Sequence, residues 1–197
     1  MNRTFTSSAL LPAGRASRRA FLAGSLGAAV LLLVPEPLRA SVSDPSGRGG
    51  RGRELAFRNT HTGEEISAVY EAGGKYLPEG RGVIDHVLRD HRTGDVREID
   101  AGLLDLLADL REALGTTAPY SVISGYRSPR TNAMLAARSH GVSPRSLHMV
   151  GLAVDVSLPG VPLTRLREAA LDLGRGGVGY YPDPGFVHVD VGRARRW

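Results

Sequence analysis

Two short stretches of the chain alternate strictly between apolar and polar positions. In the first, Leu152, Val154 and Val156 interleave with Ala153, Asp155 and Ser157. In the second, Val187, Val189 and Val191 interleave with Phe186, His188 and Asp190. Period two predicts strands with one buried face, so the valines go inward and the polar side chains share the opposite side. A strand that buries its valines and shows a His and an Asp on its other face presents those two groups to something. Elsewhere the period is helical. Leu103, Leu104, Leu106, Leu107, Leu110 and Leu114 form a broad apolar stripe, with Asp100 as N-cap and Gly115 as the stop.

The remaining elements follow from the same patterns. Pro162 to Leu173 predicts a helix with Leu163, Leu166, Ala170 and Leu173 inward. Pro78 to Asp90 predicts another, with Val83, Val87 and Leu88 on one face and His86, Arg89, His91 and Arg92 in or near its last turns. Ser128 and Pro129 suit the start of a helix running to about Ser139. Leu55–Phe57 and Glu65–Tyr70 predict a hairpin through Asn59–Gly63, ended by Gly73-Gly74, and Tyr120–Ser124 a short strand. Val178–Tyr181 and Phe186–Val191 predict a second hairpin around Pro182-Asp183-Pro184-Gly185. His61, His86 and His91 are read as turn and helix-end residues, not ligands.

The first forty residues follow none of these patterns. Ser17-Arg18-Arg19-Ala20-Phe21-Leu22 is a twin-arginine pattern, Ala20 to Val34 carries no charge, and Pro35, Pro37 and Leu38-Arg39-Ala40 follow. That is the layout of an export signal, and the apolar run is short for a spanning helix, which needs about 20 residues. Residues 1–40 are therefore expected to be a twin-arginine signal that meets the membrane only in transit, residues 41–52 a flexible linker, and residues 53–197 one domain. The signal holds five arginines and one glutamate, +4 of the chain's +5, so the remainder is close to neutral at +1. A nucleic-acid protein would keep a strong basic stripe, so that class is excluded. Cysteine is absent, which removes disulfides, thiolate ligands and a cysteine nucleophile.

Two imidazoles and a carboxylate, His148, His188 and Asp155, are the ligand types of an open catalytic zinc site. The spacing of His148 and Asp155 alone fits a buried His–Asp hydrogen bond as well as a metal. Arg127 follows a strand and precedes a helix start, where its fork of donors would grip a carboxylate or carbonyl, or form a surface ion pair.

The combined motifs resemble a known family. Ser146-x-His148-x-x-Gly151-x-Ala153-x-Asp155 resembles the signature of the zinc D-Ala-D-Ala carboxypeptidase and hedgehog-type peptidases, family M15. Ser124-Gly125-Tyr126-Arg127-Ser128, Gly177–Tyr181 and Phe186–Asp190 through Trp197 are similar to its YcbK-like branch of exported murein endopeptidases. The resemblance covers most of residues 53–197. It implies an α+β domain with helices packed on an antiparallel sheet, the hedgehog/DD-peptidase-like zinc peptidase fold. It also implies one Zn²⁺ held by His148, Asp155 and His188, with Arg127 as the active-site arginine and Ser146 as a substrate or supporting contact. The implied substrate is peptidoglycan stem peptide in the periplasm, cut at L,D-type diaminopimelate cross-links. A D,D-carboxypeptidase or endopeptidase, and a non-catalytic zinc-stabilised module that binds wall peptides, are the alternatives.

The chain departs from the family in one place. Many relatives carry the general base just before the last ligand, as E-x-x-H or H-x-H; here Gly185 and Phe186 stand there. Asp190 is then the candidate for base, for orienter of His188, or for a salt-bridge partner of a nearby arginine. Asp183, in the turn, is a weaker candidate.

Overall fold

The computed structural model describes residues 52–139 and 141–197. The expected export signal and nearly all of the linker lie outside the described residues.

The domain is α+β. Among the described residues, eight strands form one sheet, and three of four helices, the first, second and fourth, pack on it. The strands are β1 (Arg53–Asn59), β2 (Glu65–Ala72), β3 (Lys75–Tyr76), β4 (Tyr120–Ser124), β5 (Ala153–Ser157), β6 (Gly177–Tyr181), β7 (Phe186–Asp190) and β8 (Arg195–Arg196). Their order across the sheet is β3-β2-β1-β4-β5-β7-β6-β8. Most pairs are antiparallel, as expected, but β1 pairs with β4 and β6 with β8 in parallel.

The helices are α1 (Pro78–Val87), α2 (Ala101–Leu114), α3 (Pro129–Ala136) and α4 (Leu163–Leu173). All six leucines of the α2 stripe are buried. The Asp100 carboxylate caps α2 by accepting from the Gly102 amide, and Gly115 ends it in the left-handed conformation. Those leucines meet Leu55, Phe57, Val154, Val156, Val187 and Val189 in one core. The valines of the two alternating strands thus face α2 and α4, and Asp155 and His188 are left on the opposite face.

Three boundaries differ from expectation. Helix α1 stops at Val87, and its inward residues are Ile84 and Val87, while Val83 is exposed. Asp90 ends the continuation: its carboxylate accepts from the Arg92 amide, the Ser128 amide and the Ser128 hydroxyl, and its carbonyl accepts from the Gly94 amide. Helix α3 ends at Ala136, short of Ser139. Gly73-Gly74 does not end the first hairpin but turns the chain into β3.

His91 is therefore not a helix-end cation. Its ring stacks on His61 with centroids 3.8 Å apart. Burial, helped by His61 and Arg92, pushes its pKa down to about 4. A histidine whose folded pKa lies below its unfolded value of about 6.5 destabilises the fold as pH falls, because the unfolded chain then binds more protons. The melting temperature is expected to drop by a few degrees between about pH 6.5 and pH 4. His91→Asn should flatten that part of the curve, and an unchanged slope would show that His91 does not govern it.

Candidate metal centre

The three candidate ligands arrive on two strands and a turn. β5 and β7 are paired so that Asp155 lies directly opposite His188. Opposed residues of an antiparallel pair point their side chains to the same face. His148 sits in a single 3₁₀ turn, Leu147–Val150, which leads into β5. Gly151 closes that turn with φ 74°, and a Cβ there would come within 2.4 Å of the Glu98 carbonyl oxygen. Glycine is thus required both by the left-handed backbone and by the space.

The ligand atoms converge. Asp155 Oδ1 lies 2.8 Å from His188 Nδ1 and 3.3 Å from His148 Nε2, and the two nitrogens are 3.2 Å apart. The outer nitrogen of each ring is already committed. His148 Nδ1 is 2.8 Å from the Gly125 carbonyl oxygen, which can only accept, so that nitrogen carries the hydrogen. His188 Nε2 is 3.0 Å from Asp190 Oδ2 and donates to it. The nitrogens left facing inward present lone pairs to a carboxylate oxygen. Such a nest holds together only around positive charge.

The electrostatics agree. Burial opposes ionisation of Asp155, but the two imidazoles outweigh it and hold the carboxyl well below the usual carboxylate range. Burial likewise opposes charge on His188, but Asp155 and Asp190 outweigh it and raise its pKa. These spacings also suit a metal, since tetrahedral zinc with bonds of about 2.0–2.1 Å needs ligand atoms roughly 3.3 Å apart. The residues present therefore fit a zinc ion, with hydrogen-bonded outer nitrogens of the kind that orient metal-binding histidines.

Asp190 is completely buried. Besides His188, it accepts from the Gly177 amide at 3.0 Å, the Gly192 amide at 2.8 Å, and Arg195 at 2.7 and 3.1 Å. Burial works against its charge, but His188, Arg195 and the two amides hold its carboxyl well below the usual range. Two of the roles left open by the sequence, orienter of His188 and partner of an arginine, are thus geometrically combined.

Arg127 lies beside the nest, with only 13% of its side chain exposed. Its Nη2 is 3.2 Å from the Ser124 hydroxyl and 3.5 Å from Asp155 Oδ2, and its buried Nε has no protein partner. The Arg127 amide donates to the His148 carbonyl, so this loop and the His148 turn hold each other in both directions. Ser146 caps the turn without using its side chain and lines the cleft. The cleft has a volume of about 300 Å³, and Asp155 is the single carboxylate among its described lining residues. Asp183 is not among those residues.

Several contributors lie outside the candidate residues named from the sequence. The Gly125 carbonyl is a backbone group. Tyr181, Arg195 and Trp197 also line the cleft. Their clue was the pattern Gly177-x-Gly179-x-Tyr181, whose glycines leave space on the site face.

The profile of a family described as peptidoglycan L,D-endopeptidase MepK matches residues 48–197. The chain is 45% identical over 185 residues to the peptidoglycan L,D-endopeptidase MepK of Escherichia coli K12, covering 92% of this chain and 97% of that one. The protein of that name in Shigella flexneri matches to the same extent. A Haemophilus influenzae protein described as a probable peptidoglycan L,D-endopeptidase MepK is 39% identical over 166 residues, 84% of this chain and 87% of its own. The chain belongs to peptidase family M15, in the branch of the MepK murein endopeptidases.

Proposed function

We propose that this protein is exported to the periplasm by its twin-arginine segment and there hydrolyses L,D peptide cross-links of peptidoglycan, using zinc held by His148, Asp155 and His188. The observation that carries the reading is the convergence of three acceptor atoms within 4.8 Å of one another, with both outer ring nitrogens already donating. The relatives' names supply the bond type.

Zinc bound by this set would supply Lewis acidity toward a peptide carbonyl and an activated water. The chain's own groups do the rest. Arg127, with donors to spare, binds and polarises the scissile carbonyl. Asp190 fixes the ring of His188 so that Nδ1 faces the ligand nest. Ser146 contacts the substrate at the edge of the cleft. Arg145 lies exposed on the same edge with no acidic partner among the described residues. Arg127 and Arg145 leave the cleft with excess positive charge, which suits peptides that carry free carboxylates.

The test is digestion of purified muropeptide dimers by zinc-loaded and chelator-stripped protein, with products read by mass. Zinc-dependent loss of L,D-linked dimers is expected. Fragments from D,D-linked dimers alone would reassign the bond. Intact dimers of both kinds despite bound zinc would favour a wall-peptide-binding module.

A further inference from the structure

The site face of the sheet is built in rows. Asp155, His188 and Gly179 lie opposite one another across β5, β7 and β6, and Phe186 lies opposite Tyr181. Tyr181 therefore stands on the same face as the ligands, two residues from Gly179 along β6. The Phe186 and Tyr181 rings stack with centroids 4.6 Å apart, which fixes the phenol ring. The phenol is also within electrostatic reach of Arg127.

Gly179 leaves a slot on that face, and Trp197 fills it. A Cβ at Gly179 would fall 2.7–2.8 Å from the indole. The backbone of Trp197 pairs with β6 through the Val178 carbonyl and the Tyr180 amide, and its ring lies 5.2 Å from that of His188. The indole Nε1 donates to the Tyr181 hydroxyl oxygen at 2.7 Å. An indole N–H can only donate, so the phenol's own proton must go elsewhere. No acceptor for it is present among the described residues, and Tyr181 is one of the residues that line the cleft.

The geometry points to Tyr181 as a catalytic hydrogen-bond donor to the oxyanion that develops on the scissile carbonyl, with Trp197 as the positioning residue that turns its proton toward the substrate. The inference rests on the proposed hydrolysis, in which water oxygen adds to the carbonyl carbon, the C–N bond breaks and a proton ends on the leaving amine. Tyr181 remains protonated throughout. A donor aimed at the developing charge stabilises the transition state more than bound substrate, so its loss lowers kcat and leaves KM nearly unchanged. Asp155 is the single carboxylate side chain among the described lining residues, which leaves more of the charge stabilisation to neutral and cationic donors.

The experiment uses the full zinc-loaded protein and two readouts. One is kcat and KM on L,D-linked muropeptide dimers. The other is affinity for a phosphinate analogue of the linked dipeptide, measured by calorimetry. Tyr181→Phe keeps the ring stack and removes only the hydroxyl. It is expected to lower kcat by about 100-fold at unchanged KM and to weaken the phosphinate by a similar factor. Trp197→Phe keeps an aromatic ring in the slot and removes the N–H; about a tenfold loss in both readouts is expected. The double variant should be no worse than Tyr181→Phe alone, because Trp197 acts through Tyr181.

Retention of kcat and phosphinate affinity within threefold in Tyr181→Phe would overturn the assignment and leave the reaction standing. Wild-type protein that binds the phosphinate but leaves L,D dimers intact would remove the reaction; Tyr181 as a donor would then stand or fall on the phosphinate affinities alone. Wild-type protein that does not bind the phosphinate would overturn both.

Discussion

Replacing His188 with alanine is expected to lower cleavage of L,D cross-links by more than about 10³-fold and, on the proposed zinc site, to abolish the rise in melting temperature expected on adding zinc. The activity figure follows from the size of the lost term: a metal contributes several kcal/mol at the transition state, and each 1.36 kcal/mol is tenfold in rate. The stability figure follows from linkage, since an ion that binds only the folded chain raises its stability in proportion to the logarithm of concentration over Kd. His188 is the apt position because it joins the two halves of the site. Its Nδ1 meets Asp155 at 2.8 Å and its Nε2 meets Asp190 at 3.0 Å. Melting curves with and without zinc, together with dimer digestion, check the prediction. A variant that kept its zinc-dependent shift would show that the ion binds elsewhere.

Replacing Asp190 with alanine is expected to have the largest effect on stability. Its carboxylate is fully buried and receives His188, Arg195 and the amides of Gly177 and Gly192. Removing one partner of a buried charge network costs about 3–5 kcal/mol, because the groups left behind are desolvated without compensation. For a domain of this size that is roughly 10 °C in melting temperature. The same variant separates two roles. If Asp190 orients His188, zinc affinity falls by about 10- to 100-fold and much of the turnover returns at saturating zinc. If Asp190 moves the proton, turnover stays low by at least about 100-fold however much zinc is supplied. Its five hydrogen bonds favour the first outcome.

The parts of the fold legible from the residues alone are those where side-chain periodicity and burial coincide. The α2 leucine stripe with its Asp100 cap is one. The valine faces of β5 and β7 are another, and they placed Asp155 and His188 on the opposite side correctly. Side-chain pattern does not specify which strands become neighbours, so the parallel β1–β4 pairing was not visible. β8 has two residues and no period at all. The stop of α1 was hidden because Asp90 is held by Ser128, a contact across 38 positions of sequence. Within the site, the ligand residue types could be read, but the Gly125 carbonyl that orients His148 has no side chain to betray it. Trp197 could be read as covering the site edge or as solvated, and the side-chain pattern does not choose between them; its hydrogen bond to Tyr181 places both over the face that bears Asp155 and His188.

The seating of Trp197 in the Gly179 slot has a practical side. Anything attached after Trp197 begins at the rim of the candidate metal cleft, within a side chain's reach of His188. A polyhistidine handle there would bring surplus imidazoles to compete for the ion, and a bulky fusion would lie across the path of a cross-linked strand. A handle ahead of Arg53 joins the domain on β1, with β4 and β5 between it and β7. For purification, labelling or immobilisation, the amino-terminal side is the end that leaves the cleft open.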